Sequence, residues 1–241
     1  MRIIVVKNYD EMSKEASKII IDQVNKKPNS TLGLATGSTP IGMYNYLKEA
    51  YQNGIISFKE VTTFNLDEYC GIPKSHPQSY YYYMYEHLFN HIDINPQNIH
   101  LPFVEGDDFE AQAKRYNYLL KQTKIDLQVL GIGSNGHIGF NEPNTPFNQE
   151  TFIVRLAEKT RLDNQRFFAS LDEVPQSAIT MGIKNIMEAE SILMLISGKN
   201  KADTVVKLLK GEVATDFPAS ILHKHPQVTI IIDDDAYSKM I

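Results

Sequence analysis

Short apolar runs alternate with segments of helical periodicity along the whole chain, and this alternation restricts the fold more than any other feature of the sequence. Several runs are too continuously apolar for a sheet with one face in water, so they predict buried parallel strands. Strands that alternate with helices favour a right-handed, doubly wound sheet. The six predicted strands are Arg2–Val6, Thr31–Ala35, Val61–Leu66, Asp126–Gly131, Ser191–Ile196 and Val228–Ile232.

The segments between the strands carry apolar residues at the spacing of amphipathic helices. Examples are Met12, Ala16 and Ile20 near the start, and Ala202 and Val205 near the end. We find no internal repeat, low-complexity tract or Gly/Ser linker. The sequence therefore predicts one α/β domain over residues 1–241, with a single doubly wound (Rossmann-like), mostly parallel sheet and helices on both faces. In such sheets ligands bind beyond the carboxyl ends of the strands, so the loops that follow strands should carry the chemistry.

Charge and composition argue against several kinds of partner. The 24 Lys and Arg against 29 Asp and Glu give a formal net charge of -5, so nucleic acid is not an expected partner. The single cysteine, Cys70, cannot form an intrachain disulfide, which fits a reducing compartment. The apolar run near the start, Ile3 to Val6, is far shorter than that of a signal peptide, and no run reaches the length of a membrane span. We therefore expect a cytoplasmic protein with no membrane partner.

The loop after the second predicted strand carries the first candidate ligand-binding residues. It reads Ala35-Thr36-Gly37-Ser38-Thr39-Pro40 and precedes a helix predicted to begin near Ile41. Gly37 allows close approach of the backbone, Ser38 and Thr39 offer hydroxyls, and a helix start adds N–H groups with a partial positive charge. The loop therefore suits a phosphate. The alternative is an ordinary turn in which Ser or Thr caps the helix and the proline occupies its first turn.

Two lysines follow the fifth predicted strand, in the segment Ser197-Gly198-Lys199-Asn200-Lys201. Cations in the first turn of a helix oppose the helix dipole, at a cost of about 0.3–1 kcal/mol each. An anion that neutralises one of them would remove this cost, and Lys201 is the better candidate. The alternative is that both side chains extend into water.

Two acids, Asp67 and Glu68, follow the third predicted strand. A carboxylate in apolar surroundings has a raised pKa and can act as a general base on a carbon-bound proton. Acids at strand ends also cap helices or order loops as hydrogen-bond acceptors. The spacing alone leaves both roles open.

The glycine-rich segment after the fourth predicted strand is the most informative one. Four glycines fall between Gly131 and Gly139, so the backbone there bends tightly or approaches a ligand closely. His137 and Glu142 lie in and after this run, and an imidazole oriented by a carboxylate can move protons near neutral pH without a metal. The alternative is a structural histidine in a glycine-rich turn. The spacing of the other histidines predicts no metal site.

Two further features carry less weight. The tyrosine-rich run at 80–85 lies in a predicted helix, where most of the rings should pack in the core or lie at the surface. Arg166 could bind a phosphate through two guanidinium donors, although an arginine beside aromatic residues is usually structural.

Taken together and in order, these segments resemble the glucosamine-6-phosphate deaminase family, which converts glucosamine 6-phosphate and water into fructose 6-phosphate and ammonia. Each segment alone is a weak signal, but the set covers nearly the whole chain and is specific. The matching segments are Thr36-Gly37-Ser38-Thr39-Pro40, Phe64-Asn65-Leu66-Asp67-Glu68-Tyr69, His76-Pro77-Gln78-Ser79-Tyr80-Tyr81, Gly136-His137-Ile138-Gly139-Phe140-Asn141-Glu142-Pro143, and Thr160-Arg161 followed by Arg166-Phe167-Phe168.

The resemblance implies a role for each matching residue and no cofactor. His137, oriented by Glu142 and Asn135, would open the sugar ring by moving a proton between the anomeric hydroxyl and the ring oxygen. Asp67 would then carry the C2 proton to C1, through an enolamine that ends as a ketone and free ammonia. The phosphate of the amino-sugar substrate would be held by Thr36, Gly37, Ser38, Arg166 and Lys201.

Two departures from the family pattern modify these expectations. Asn135 stands where some members carry an aspartate, so Glu142 is expected to do more of the orienting of His137. Phe152 and Val154 stand where allosteric members resemble basic effector-binding segments. We therefore expect little or no activation by N-acetylglucosamine 6-phosphate, and a monomer or small homo-oligomer.

Two other functions remain open from the sequence. A 6-phosphogluconolactonase is similar in fold and phosphate handling but hydrolyses a lactone, and the combination of Asp67 and Glu68 with His137 and Glu142 favours the deaminase. A sugar-phosphate sensor domain of a transcription regulator would need a DNA-reading module, whereas this acidic chain opens directly into a strand.

Overall fold

The computed structural model describes residues 1–102, 108–156, 165, 168 and 170–240. Within these ranges the chain forms ten strands, most of them short and buried. In chain order they are β1 (Arg2–Val6), β2 (Thr31–Leu34), β3 (Thr62–Asn65), β4 (Asp67–Tyr69), β5 (Ile99–His100), β6 (Leu127–Leu130), β7 (Phe152–Arg155), β8 (Ser177–Thr180), β9 (Ser191–Ile196) and β10 (Val228–Asp233).

The helices of the described residues lie between these strands, as the apolar spacing predicts. Met12, Ala16 and Ile20 are fully buried on the first helix, and Ala202 and Val205 are buried on the sixth. The α-helices are α1 (Tyr9–Lys26), α2 (Ile41–Gln52), α3 (Tyr80–His87), α4 (Phe109–Gln122), α5 (Ile183–Met187), α6 (Ala202–Lys210) and α7 (Asp234–Tyr237).

Seven strands form one parallel sheet in the order β1-β10-β9-β6-β2-β3-β5. The crossover from β2 through α2 to β3 and the crossover from β9 through α6 to β10 run in opposite directions along the sheet. Right-handed crossovers of opposite direction place their helices on opposite faces. The predicted doubly wound, mostly parallel sheet is therefore confirmed.

The strand order reverses between β2 and β6, which are neighbours in the sheet although about 90 residues separate them in the chain. The chain leaves β2 towards β3 and β5, and it leaves β6 towards β9 and β10. Loops that diverge from two neighbouring strands open a crevice at their carboxyl ends, which is where ligands bind in such sheets. The loops that follow β2 and β6 are two of the four segments that the sequence marks as candidate parts of a site.

The sequence did not predict a second, smaller sheet, in which β4, β8 and β7 pair antiparallel. Leu66 is the one residue between β3 and β4, and it joins the two sheets. Its N–H donates to the carbonyl of Leu34 in the large sheet, at 3.1 Å, and its own carbonyl accepts from the N–H of Met181, at 2.6 Å. The small sheet places Asp67 opposite Thr180.

The predicted strand ends differ from the observed ones by one residue in several places. Thr31–Ala35 ends one residue too late, Val61–Leu66 and Asp126–Gly131 are one residue too long at both ends, and Val228–Ile232 stops one residue early. Apolar character continues beyond the last ladder hydrogen bond, so it does not mark where a strand ends. In the part of the chain that the structure describes, no helix combines the length and apolar character needed to cross a bilayer.

Candidate active site

A cavity of about 420 Å³ lies at the point where the strand order reverses, and six of the predicted site residues line it. Three come from the loop after β2, and the others from β4, from the loop after β6 and from the turn before α6. A larger hollow of about 710 Å³ between α1 and α2 contains none of the predicted residues. The six residues are Thr36, Gly37, Ser38, Asp67, His137 and Lys201.

The loop after β2 presents backbone N–H groups without intramolecular acceptors. Pro40 stands at the N-cap of α2, and no side chain caps this helix, so the alternative of an ordinary Ser- or Thr-capped turn is wrong. Within the described ranges, the N–H groups of residues 36–39 donate to no other atom. Gly37 has a φ of 90°, a conformation that few residues other than glycine adopt. Unsatisfied N–H groups at a helix start form a favourable site for an anion.

Lys201 adds a cation to the edge of the same cavity. It lies in a 3₁₀ turn, Lys199–Lys201, directly before α6, and its Nζ donates to the carbonyl of Ile132 at 2.8 Å. Burial lowers the pKa of Lys201, while Lys199 is exposed. The structure therefore places Lys201 at the cavity and Lys199 in water.

Asp67 is a buried carboxyl group, 7% exposed, at the cavity wall. Among the described residues it accepts no hydrogen bond, and aromatic rings of Tyr80 and Phe140 line the cavity beside it. Burial, followed by the negative charge of Glu68, raises the pKa of Asp67 to about 8. A carboxylate with so high a proton affinity is a strong base for its type.

Glu68 lies beside Asp67 but points into the protein. Its carboxylate accepts from the backbone N–H groups of Tyr69, Tyr80 and Tyr81 at 2.8–2.9 Å, so it fixes the start of α3. Burial raises the pKa of Glu68 to about 7, while these three donors lower it. Because Glu68 has three donors and Asp67 has none, the negative charge of the pair resides on Glu68. Glu68 is therefore the loop-ordering acceptor of the two neighbours, and Asp67 is the one that lines the cavity.

The loop that carries His137 passes directly beside Asp67. Gly139 has a φ of 57°, and a Cβ atom at this position would lie 3.4 Å from Oδ2 of Asp67 and 3.0 Å from Oγ1 of Thr180. The N–H of Phe140 donates to the same Thr180 hydroxyl at 3.1 Å. Glycine suits this position because its φ is positive and because a Cβ atom would crowd the Thr180 hydroxyl and touch the Asp67 carboxylate.

The imidazole of His137 packs flat on the loop, since a Cβ atom at Gly133 would overlap the ring. Its Nδ1 lies 2.7 Å from Oδ1 of Asn135 and 3.6 Å from Oε1 of Glu142. Burial lowers the pKa of His137, although Glu142 raises it, so the ring is neutral near pH 7. The sequence predicts that Glu142 and Asn135 orient the ring together, with Glu142 doing more of the orienting. In the structure, Oδ1 of Asn135 makes the short hydrogen bond with the ring. The Nδ2 group of Asn135 donates to Oε2 of Glu142 at 2.7 Å, so Glu142 orients the ring through Asn135.

Two residues of the site were not singled out from the sequence, and one predicted residue lies outside the described residues. Tyr80 and Phe140 stack at 6.3 Å between ring centroids and line the cavity, but nothing in their spacing singles them out from other aromatic residues. Arg166, predicted to bind phosphate, lies outside the described residues.

Comparison with known proteins agrees with this geometry. Residues 7–231 match the family described as glucosamine-6-phosphate isomerases/6-phosphogluconolactonase. The chain is 54% identical to the glucosamine-6-phosphate deaminase of Clostridium novyi, with full coverage of both chains. It is 51% identical to that of Thermoanaerobacter pseudethanolicus, over 99% of this chain and 94% of the relative.

The chain belongs to the glucosamine-6-phosphate isomerase/6-phosphogluconolactonase family. Among solved structures of the family, that of a monomeric glucosamine-6-phosphate deaminase superposes with a TM-score of 0.95 at 47% identity, over 99% of this chain and all of the other. A 6-phosphogluconolactonase from Trypanosoma brucei superposes with a TM-score of 0.79 at 19% identity, over 100% of this chain and 98% of the other, which shows the shared fold alone.

Proposed function

We propose that this chain is a cofactor-free deaminase that converts glucosamine 6-phosphate and water into fructose 6-phosphate and ammonia. One observation carries the proposal: a buried carboxyl group, Asp67, and a neutral imidazole, His137, line the same cavity as an anion-binding loop. The similarity to curated deaminases at 51–54% identity over nearly the whole chain supports the same substrate.

The phosphate end of the substrate is assigned to the loop after β2 and to Lys201. Residues 36–39, whose N–H groups have no acceptor among the described residues, line the same cavity as Lys201. Arg166 joins them on the strength of the family resemblance. Binding energy from this remote group holds the sugar against the base, which lowers the barrier to proton transfer.

Ring opening is assigned to His137. The neutral imidazole accepts the proton of the anomeric hydroxyl through Nε2 and returns a proton to the ring oxygen, so that the C1–O5 bond breaks and an open-chain aldehyde forms. Asn135 and Glu142 keep the ring in the orientation that this exchange needs.

Isomerisation is assigned to Asp67. Its carboxylate removes the C2 proton, the C2 electron pair forms a C1–C2 double bond, and the aldehyde oxygen takes up a proton to give the enolamine. The carboxylic acid then returns the proton to C1, which leaves an iminium at C2. Water adds to this carbon and ammonia leaves, giving the ketone. The apolar rings beside Asp67 raise its proton affinity and so favour the first step.

A coupled assay for ammonia and fructose 6-phosphate tests the proposal on the wild type and on Asp67→Asn. We expect stoichiometric release of both products by the wild type and a loss of about 10²–10⁴-fold in kcat for the variant. Hydrolysis of 6-phosphogluconolactone is measured in parallel. Lactone hydrolysis without ammonia release, or full activity of Asp67→Asn, would overturn the assignment.

We also propose that residues 1–241 act as one domain, in the cytoplasm, as a monomer or small homo-oligomer. The monomeric state of the relative that superposes with a TM-score of 0.95 supports the last point. Size-exclusion chromatography with light scattering measures it directly.

A further inference from the structure

Three tyrosine hydroxyls, each from a different helix, donate to carbonyl oxygens of the loop after β2. Tyr44 of α2 donates to Ala35 at 2.6 Å, Tyr83 of α3 donates to Gly37 at 2.6 Å, and Tyr9 of α1 donates to Ser38 at 3.0 Å. We infer that Tyr9, Tyr44 and Tyr83 are positioning residues that hold the anion-binding loop in the shape that receives phosphate. The inference rests on the proposed function, because it names what keeps that site formed.

The geometry of the peptide unit links each hydroxyl to the cavity. In a trans peptide the C=O and the following N–H point in opposite directions, and the described chain contains no cis peptide. A hydroxyl that binds the carbonyl of residues 35, 37 or 38 therefore directs the N–H of residues 36, 38 or 39 the opposite way. These are N–H groups that donate to no atom within the described residues. The tyrosines fix the direction of the donors without touching the ligand.

The loop needs this external support because it has little of its own. Gly37 adopts a positive φ, and the helix that follows the loop has no side-chain cap. Without the tyrosines the peptides on either side of Gly37 could rotate, and a carbonyl oxygen turned into the cavity would repel an anion. Hydrogen bonds to the carbonyls keep their negative ends away from the cavity.

Tyr9 also takes the place of the missing helix cap. Its oxygen accepts from the N–H of Gly42 in the first turn of α2 at 2.9 Å, while its own hydrogen goes to the carbonyl of Ser38. One side chain thus satisfies a donor of the helix start and an acceptor of the loop. An ordinary Ser or Thr cap would place its oxygen where the anion is expected, whereas Tyr9 reaches from the neighbouring helix and leaves that space free.

The hydroxyls of Tyr44 and Tyr83 remain donors throughout the working pH range. Burial raises the pKa of Tyr44 and of Tyr83 above the usual value for tyrosine. The tyrosine-rich run at 80–85 thereby gains one functional member, Tyr83, whereas its neighbour Tyr82 is 41% exposed.

The test compares Tyr9→Phe and Tyr83→Phe, each of which removes one hydroxyl and keeps the ring. We expect each change to raise the KM for glucosamine 6-phosphate about 3–10-fold, with kcat within about twofold of the wild type, since Tyr83→Phe removes one hydrogen bond and Tyr9→Phe removes two. The inhibition constant of inorganic phosphate should rise by the same factor. In the double variant, the KM and the phosphate inhibition constant should each rise by at least the product of the two single-variant factors. Tyr44 is fully buried, so Tyr44→Phe is reserved as a third variant whose melting temperature is measured first.

Two exposed tyrosines on neighbouring helices provide matched controls. Tyr82 is 41% exposed and Tyr118 is 63% exposed. Removal of their hydroxyls in Tyr82→Phe and Tyr118→Phe should leave KM and the phosphate inhibition constant unchanged. Unchanged values in Tyr9→Phe and Tyr83→Phe would overturn the inference, as would a fall in kcat at constant KM.

Calorimetric titration with inorganic phosphate separates this inference from the proposed function. A wild type that binds phosphate but releases no ammonia would refute the deaminase assignment, while weaker phosphate binding by the variants would still support the positioning role. A wild type that binds no phosphate would overturn the inference itself.

Discussion

The amide oxygen of Asn135 lies 2.7 Å from Nδ1 of His137, and this contact sets the protonation pattern of the imidazole. The amide nitrogen of Asn135 lies 2.7 Å from Oε2 of Glu142, which as a carboxylate can only accept. The amide is therefore oriented with its oxygen towards His137, so Nδ1 carries the hydrogen and Nε2 is left with its lone pair. An asparagine performs this task without placing a second negative charge beside Glu142.

Removing the side chain of Asn135 should lower activity more than replacing it with an aspartate. We expect Asn135→Ala to lower kcat about 10–100-fold, since partners that orient a functional imidazole commonly contribute this much. Asn135→Asp should stay active and raise the pKa of His137, because a carboxylate stabilises the imidazolium.

Steady-state kinetics and ¹⁵N NMR of the histidine measure these effects, with Nδ1–H expected as the wild-type tautomer. An inactive wild type that gains activity in Asn135→Asp would contradict the view that the amide suffices. Asn148→Ala serves as the control, because Asn148 is an exposed asparagine that does not line the cavity.

The rate should depend on pH through the ionisation of Asp67. The base must be deprotonated, and its pKa is raised to about 8 by burial and by Glu68. We therefore expect kcat/KM to rise with pH up to about 8 and then to level. Glu68→Gln removes the negative charge beside Asp67, so the rise of kcat/KM should shift to lower pH.

The other titratable groups that interact with Asp67 are Tyr69, Tyr80 and Tyr116, and burial raises the pKa of all three, so they stay neutral in this range. A pH–rate profile of the wild type, of Glu68→Gln and of the exposed control Glu60→Gln tests the assignment. If kcat/KM of Glu68→Gln rises at the same pH as that of the wild type, the two carboxyl groups do not interact as the structure indicates.

Loss of the base should stabilise the protein at neutral and alkaline pH. The folded-state pKa of Asp67 is raised, so the stability associated with its proton is fully present below the unfolded pKa and is lost as the pH rises through about 8. Asp67→Asn has no such loss. We expect the variant to gain about 1–3 kcal/mol at pH 8, because a neutral amide avoids the cost of ionising a buried carboxyl group beside Glu68.

Thermal melts at pH 5 and pH 8 measure this difference, with each kcal/mol worth roughly 2–4 °C in Tm for a chain of this size. The gain should be smaller at pH 5, where less of that stability has been lost. A variant that is less stable than the wild type at pH 8 would argue that Asp67 is better solvated than its burial implies.

Gly139 should be needed for catalysis as well as for the local backbone conformation. Gly139→Ala forces a side chain into the contact with Asp67 and Thr180 and also strains a positive φ. We expect a loss of about 1 kcal/mol in stability from the backbone, and a fall of about 10–100-fold in kcat from displacement of the base.

Gly54→Ala is the matched control, because Gly54 also has a positive φ, 69°, but a Cβ atom there meets nothing within 4 Å. The two variants should lose similar stability and differ in kcat. Equal kcat values would show that the space beside Asp67 is not critical.

The sequence predicted the large sheet and the position of the site because both depend on local patterns. The apolar runs mark β2, β3, β6 and β9, and the loops after them converge because parallel strands end at one edge. The small sheet was not predictable in this way. Two of the three residues of β4 are the acids Asp67 and Glu68, so the strand has no apolar run to reveal it.

Long-range hydrogen bonds were equally invisible to the sequence. Tyr9 and Ser38 are 29 residues apart, and Tyr83 and Gly37 are 46 residues apart. A tyrosine in an amphipathic helix is compatible with core packing, surface exposure or a bond to a distant loop, and only the packing of three helices decides between them.

Leu66 gives the site a property that neither sheet has alone. The phosphate loop and His137 follow strands of the large sheet, whereas Asp67 belongs to the small one, and a single residue bonds to both. A change in the angle between the sheets would move the proton acceptor along the bound sugar while leaving the anchor of that sugar unaltered. Under the proposed function, the position of Asp67 relative to the anchored end of the sugar therefore depends on a connection that is one residue long.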